Sequence, residues 1–165
     1  MKRPSGIFML VLMVGASFPL SSAVAEAEVY EVEKIISYYD VESGEWRSVE
    51  ATDCFSLQKD GEGAFRMSLR LIQQNGHTCN LDGAVRETDS GYEYRYSFSS
   101  QEAACVLQVA KMEDRFRLED VNGNCRNMFC GARGYFSGVE IPFASLQKVR
   151  AGQKGCELSS SDSEE

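Results

Sequence analysis

Six cysteines, Cys54, Cys79, Cys105, Cys125, Cys130 and Cys156, and a single histidine, His77, are the side chains here that could ligate a metal, exchange electrons or activate a nucleophile. Their spacing excludes most of that chemistry. A zinc site wants closely spaced thiolates or imidazoles, and a redox dithiol wants two intervening residues; the one close pair, Cys125 and Cys130, has four between its members. Any serine or cysteine nucleophile would have to converge on His77 as its base. That residue lies beside a turn and a cysteine, where supporting the turn by a hydrogen bond is the simpler role. The acid pairs Glu31 with Glu33 and Glu119 with Asp120 read as solvated faces, since catalysis by two carboxylates needs them across a cleft at a defined separation. The chain carries no phosphate-binding Gly-Lys-Ser/Thr loop and no dinucleotide fingerprint. The expectation is a non-enzymatic protein without cofactor or metal.

An even set of cysteines in an exported chain reads as disulfides, and the amino terminus predicts export. Lys2 and Arg3 precede an apolar run over 7–14, broken by Gly15, Ser17 and Pro19, and Ala23-Val24-Ala25 offers the small-residue pattern of signal-peptidase cleavage. The run falls short of the roughly 20 residues that span a bilayer. Residues 1–25 are therefore expected to be a signal peptide, with the mature protein periplasmic or, alternatively, secreted, and not inserted in a membrane. Among the possible pairings, Cys125 with Cys130 is the cheapest closure, Cys79 with Cys105 would cross-link neighbouring strands, and Cys54 with Cys156 remains.

The elements that must hold these cysteines are strands. Phe65, Met67, Leu69 and Leu71 alternate with Arg66, Ser68 and Arg70, the period of a half-buried strand, and Asn75-Gly76 suits the left-handed backbone of a tight hairpin. The returning run puts Cys79, Leu81, Gly83 and Val85 on one face. After Asp89-Ser90-Gly91, Tyr92, Tyr94, Tyr96 and Phe98 form a stripe that reads as core or barrel lining. Cys105, Leu107 and Val109 make a fourth strand, and Phe116, Leu118 and Val121 a fifth, ending at Asn122-Gly123-Asn124. Residues 28–39 fit both helical and strand spacing; the strand is preferred, with the run through Trp46, Ser48 and Glu50 as hairpin partner and 51–58 as a further short strand. The fold expected is all-β, a small antiparallel meander closing into a seven- or eight-stranded barrel over 26–156, stapled by disulfides. A helix packed across the sheet is the second architecture. Residues 157–165 are acidic and serine-rich, with nothing apolar to bury from Ser159 onward, and are expected to be disordered.

Two features bear on partners. Loss of the leader reduces 17 basic residues to 15 against 25 acidic ones, a net charge of −10. Such a surface disfavours nucleic acid and anionic membranes, which are bound through Lys and Arg, and favours cationic partners. The second feature is the stretch over 125–138, CRNMFCGARGYFSG, read as a tight oxidised loop in which Gly131, Gly134 and Gly138 mark positive φ or close approach. Its Arg126, Asn127, Met128, Phe129, Arg133, Tyr135 and Phe136 form a candidate binding surface. The competing reading has Met128, Phe129 and Phe136 plugging a barrel end.

Asn75-Gly76-His77-Thr78-Cys79 followed by Gly83, the strand opening at Cys105, and Cys125 with Cys130-Gly131-Ala132-Arg133-Gly134 and Gly138 together resemble small exported Gram-negative proteins with NGHxC and CGARG signatures. That group brings no established activity with it, and the similarity covers about 65–143. In size, compartment and β-rich pattern the chain is loosely similar to the periplasmic barrels that inhibit lysozyme. Those inhibitors share a Ser-Gly-x-x-Tyr motif; Ser90-Gly91-Tyr92 lacks its spacing, so no inhibitory residue carries over. The resemblance implies a binding protein, directed at a cationic cell-wall hydrolase such as lysozyme. The alternatives are a lipocalin-like carrier whose aromatic stripe lines a cavity for an apolar ligand, and a structural or immunity protein with one dedicated partner.

Overall fold

The computed structural model describes residues 27–59, 63–97, 104–131, 133–147 and Cys156. The expected signal peptide over 1–25 and disordered tail over 157–165 lie outside the described residues. Nine strands form one antiparallel sheet, in the order β8-β7-β6-β5-β4-β3-β2-β1-β9. They are β1 (Ala27–Asp40), β2 (Glu45–Lys59), β3 (Phe65–Ile72), β4 (Thr78–Thr88), β5 (Gly91–Tyr96), β6 (Cys105–Lys111), β7 (Arg115–Asp120), β8 (Glu140–Pro142) and β9 (Leu146–Gln147). A six-residue helix, α1 (Asn124–Phe129), interrupts the connection from β7 to β8.

The meander follows from period-two patterning with short turns between consecutive strands. The last run closes it. β8 pairs with β7, the chain turns through Phe143–Ser145, and β9 pairs with β1, bringing the two sheet edges together into a nearly closed barrel. Nine strands replace the expected seven or eight because this short terminal run serves both edges. The expected short strand over 51–58 is part of the 15-residue β2. Residues 28–39 are strand, and Val121, read as the end of the fifth strand, lies beyond β7 with 54% of its surface exposed.

Inside, Phe55, Met67, Leu69, Leu71, Leu107 and Leu118 are essentially inaccessible. Aromatic rings seal the seam: Tyr30 meets Phe116 edge-on at 5.5 Å, and Phe116 meets Phe143 at 4.9 Å. Such offset and edge contacts are the favoured aromatic geometries. Tyr94 lies across Gly83, where a Cβ would come within 2.8 Å of the ring.

The two barrel ends differ. At one end β4–β5 and β6–β7 are joined by tight turns at 89–90 and 112–114. The other end carries the β1–β2 hairpin, the Gln74–Gly76 turn and the α1 segment. Two disulfides lie at this elaborated end, Cys79–Cys130 and Cys105–Cys125, and the third joins Cys54 of β2 to Cys156. The last is the pairing expected; the other two correct the sequence reading. Cys125 and Cys130 stand at opposite ends of a helix, not at the mouth of one loop, so each reaches a different strand.

Candidate functional site

The elaborated end is built on two clamped pieces. The first is the α1 segment. Asp120, at the end of β7 and only 8% exposed, accepts hydrogen bonds from the amides of Cys125 at 3.3 Å and Arg126 at 2.8 Å. A helix start leaves such amides without partners, and a carboxylate there also complements the dipole. The Glu119–Asp120 pair is thus no simple solvated face: Glu119 is exposed, while both oxygens of Asp120 are committed to main-chain amides. Asn122 and Asn124 donate to the carbonyl of Ala104, each at 3.1 Å. The Cys105 and Cys79 bridges then hold both ends of the helix.

Beyond α1, Gln73 holds Tyr135 by both main-chain groups, its amide nitrogen donating to the carbonyl at 2.5 Å and its oxygen accepting from the N–H at 3.0 Å. Gln73 is 6% exposed, so this side chain substitutes for a strand pairing in a place where unpaired backbone would be costly. Gly134 lies against the disulfide, where a Cβ would come within 2.8 Å of both Cys130 Cβ and Cys79 Sγ.

The sequence-predicted surface is divided by these contacts. Arg126, Asn127, Arg133 and Tyr135 are exposed, Tyr135 by 53%. Met128 and Phe129 are half-buried, with Phe129 edge-on to Tyr94 at 6.1 Å and to Tyr96 at 5.6 Å. Phe136 is fully buried in the core and cannot be presented to a partner. His77 is half-buried at the Gln74–Gly76 turn, which is closed by the His77 carbonyl accepting from Gln73 N at 2.7 Å. Glu31 and Glu33 are exposed on β1.

The second clamped piece was not singled out by the sequence. β1 and β2 pair with each other along their whole length, from Ala27 with Gln58 to Asp40 with Glu45, but β3 pairs with β2 only from Cys54 onward and β9 with β1 only at Val29 and Tyr30. The distal half of the hairpin is therefore a two-stranded arm beyond the sheet. Its root is fixed by buried Asp53, which receives Lys34 Nζ at 2.5 Å and the amide of Ile72 at 2.7 Å. Its outer edge is held by Gln74 Oε1, accepting from Ser37 N at 2.6 Å, and Asn75 Oδ1, accepting from Tyr39 N at 3.1 Å. At the tip, Ser43 donates to Asp40, holding its carboxyl below the ordinary aspartate range, and Arg47 pairs with Asp40 at 2.9 Å.

The arm carries exposed apolar side chains: Ile35 at 69%, Tyr39 at 48%, Val41 at 84%, Trp46 at 66% and Val49 at 46%. Ile35, Tyr39 and Trp46 share one face, because Tyr39 is directly opposite Trp46 and two residues from Ser37, itself two from Ile35. Tyr39 and Trp46 touch edge-on at 5.7 Å. Around them the segment 31–53 holds seven acidic residues against two basic ones. Glu31, Glu33, Glu42, Glu45 and Glu50 have no basic partner among the described residues.

An open groove of about 540 Å³ lies elsewhere, on β4 and β5, lined by Ala84, Val85, Arg86, Glu93 and Arg95. Its arginines are engaged by Glu93, at 3.1 Å for Arg86 and 3.8 Å for Arg95. No group of three or more potential metal ligands occurs among the described residues. No helix among them is long and apolar enough to cross a membrane. Comparison of the chain with protein-family models, with curated proteins and with solved structures finds no match in any of the three.

Proposed function

We propose that this is a non-enzymatic binding protein of the periplasm that docks a cationic protein, a basic cell-wall hydrolase such as lysozyme, through the elaborated end of the barrel. The observation that carries the reading is the arm: an aromatic pair and three further exposed apolar side chains, Ile35, Val41 and Val49, clamped in place and ringed by carboxylates with no basic partner among the described residues. Contiguous exposed apolar surface marks interaction sites, and Trp and Tyr are frequent anchors of binding energy. A surface already ordered by Asp53, Gln74 and Asn75 loses little entropy on docking. The acidic rim steers a basic partner toward the arm and repels a second copy of this chain. Exposed Arg126, Arg133 and Tyr135 at the same end serve as secondary contacts.

Three disulfides favour an oxidising compartment, in keeping with the leader expected over 1–25. The interior weighs against the small-ligand carrier, since Phe55, Met67, Leu69 and Leu107 fill the space a cargo would need. A dedicated immunity-type partner differs from the proposed one only in identity.

The test is binding of oxidised mature protein to a panel of lysozymes at low and at moderate salt, followed by assay of lytic activity. Saturable binding to a basic lysozyme, weakened at least tenfold by salt and by Trp46→Ala, is the expected result. Absence of binding across the panel would remove the hydrolase reading, and binding indifferent to Trp46→Ala would remove the arm.

A further inference from the structure

The arm has a second recognition feature, which rests on the docking reading just given: one of its two edges has no strand partner among the described residues. In an antiparallel pair, opposed residues alternate between those that exchange main-chain hydrogen bonds and those whose N–H and C=O point away from each other. The amides of Ser37 and Tyr39 donate to Gln74 and Asn75, so the Ser37–Ser48 and Tyr39–Trp46 pairs are of the second kind. Ile35–Glu50, two residues on, is of the same kind. The main-chain groups of Trp46, Ser48 and Glu50 therefore face the side of β2 away from β1.

That side is where β3 would continue. Residues 54, 56 and 58 of β2 meet Arg70, Ser68 and Arg66, but the ladder stops at Cys54. One step further, the amide of Ile72 turns to the side chain of Asp53 instead of to β2. From there to the hairpin tip no strand pairs with β2 on this side among the described residues, and 45–50 are all exposed. The β1 edge is occupied by side-chain amides; among the described residues the β2 edge is not.

We infer that β2 accepts an extended segment of the cationic partner as an added strand along Trp46, Ser48 and Glu50. Strand addition of this kind takes affinity from main-chain hydrogen bonds and selectivity from alternate side chains. On the face with the Tyr39–Trp46 pair the incoming strand meets aromatic rings, Ile35, Glu33 and Glu50, so the segment that fits alternates basic and apolar residues. A second copy of the arm would bring unpaired carboxylates against unpaired carboxylates, which opposes self-pairing. Charged side chains on a bare edge are also how sheets avoid aggregation, and a purely protective edge binds nothing.

The probe is an octapeptide of alternating lysine and valine, alongside the same peptide N-methylated at every second residue so that it cannot donate along one edge. Amide exchange of the oxidised mature protein is followed by NMR. Expected are tenfold or greater slowing at Trp46, Ser48 and Glu50 with the first peptide, and at least tenfold weaker binding of the methylated one. Ser48→Pro removes an outward N–H without touching the β1 pairing, and edge strands tolerate proline; it is expected to weaken both peptide and lysozyme binding tenfold or more. Unchanged exchange in the wild-type protein at saturating peptide would overturn the inference whether or not that variant folds. Lysozyme binding that is lost in Trp46→Ala but intact in Ser48→Pro would overturn strand addition and leave arm docking standing. Failure of both peptide and lysozyme to bind would overturn both, and slow exchange at these amides caused by dimerisation would overturn the choice of occupant.

Discussion

Asn75 adopts a left-handed backbone with φ 58° while its side chain holds Tyr39 N, so one residue fixes both a turn and the arm. The two roles separate by substitution. Asn75→Gly keeps the conformation that glycine accepts freely and loses the clamp; it is expected to leave stability within about 1 kcal/mol while speeding amide exchange at Tyr39. Asn75→Ala should lose both and cost more. Gly134 is constrained by proximity, not by φ. Gly134→Ala would force a methyl group against the Cys79–Cys130 bridge, with an expected loss of about 1–3 kcal/mol by thermal or denaturant unfolding. The Asn75-Gly76 turn and the need for glycine at 134 and 138 were legible from residue types alone, but Gly131, read in the same way, has neither a positive φ nor a close approach, since a Cβ there would meet only His77 Nδ1 at 3.6 Å. Asp120 was not legible: its value depends on α1 folding back onto the end of β7, a contact no local pattern encodes. Asp120→Ala should cost about 1–3 kcal/mol by exposing two helix amides without a partner.

Among the elements, β3, β4 and β7 were legible because each is buried mainly on one face, which gives clean alternation, and β5 and β6 because their tyrosine stripe and their Cys105, Leu107 and Val109 run keep the same period although Val106 is buried as well. The first hairpin was ambiguous for a physical reason. Ile35 and Tyr39 lie exposed on one face of the ribbon while Ile36 is buried on the other, so apolar residues occupy both faces and the period blurs toward that of a helix. The blur was itself the signal of the arm. The disulfide pairing failed for a related reason. Sequence proximity favoured Cys125 with Cys130, but an intervening helix directs them to β6 and β4 respectively. Non-reducing peptide mapping should recover Cys79 with Cys130 and Cys105 with Cys125, never Cys125 with Cys130. Replacing Cys79 and Cys130 together by serine is expected to cost about 2–4 kcal/mol and to loosen the 131–138 segment first. A double variant as stable as the wild type would contradict the role given to that bridge.

For the whole molecule, barrel closure and electrostatics set the behaviour. Burial raises the hydroxyls of Tyr30, Tyr92 and Tyr94 above the ordinary tyrosine value, with Glu28 adding to the effect at Tyr30. A raised folded-state value means that the unfolded chain releases its protons first. Stability from these groups is therefore complete below about pH 10 and falls above it, by up to about 1.4 kcal/mol per pH unit for each tyrosine. Denaturant midpoints measured from pH 8 upward should stay level and then decline from about pH 10; a rise there would contradict the burial of the seam. Closure by a run serving both sheet edges was beyond the sequence reading because β8 and β9 are too short to show a period. The acidic balance was legible, but its concentration around an apolar arm required the fold.

Trp46 is the only tryptophan in the chain, and it stands two-thirds exposed on the arm. Fluorotryptophan incorporated at that single position gives one fluorine resonance, free of signals from any partner. On titration with a basic lysozyme at low salt, docking through the arm should shift and broaden this resonance to saturation, and raised salt should return it. A resonance that stays unchanged while the lysozyme is demonstrably bound would contradict docking through the arm.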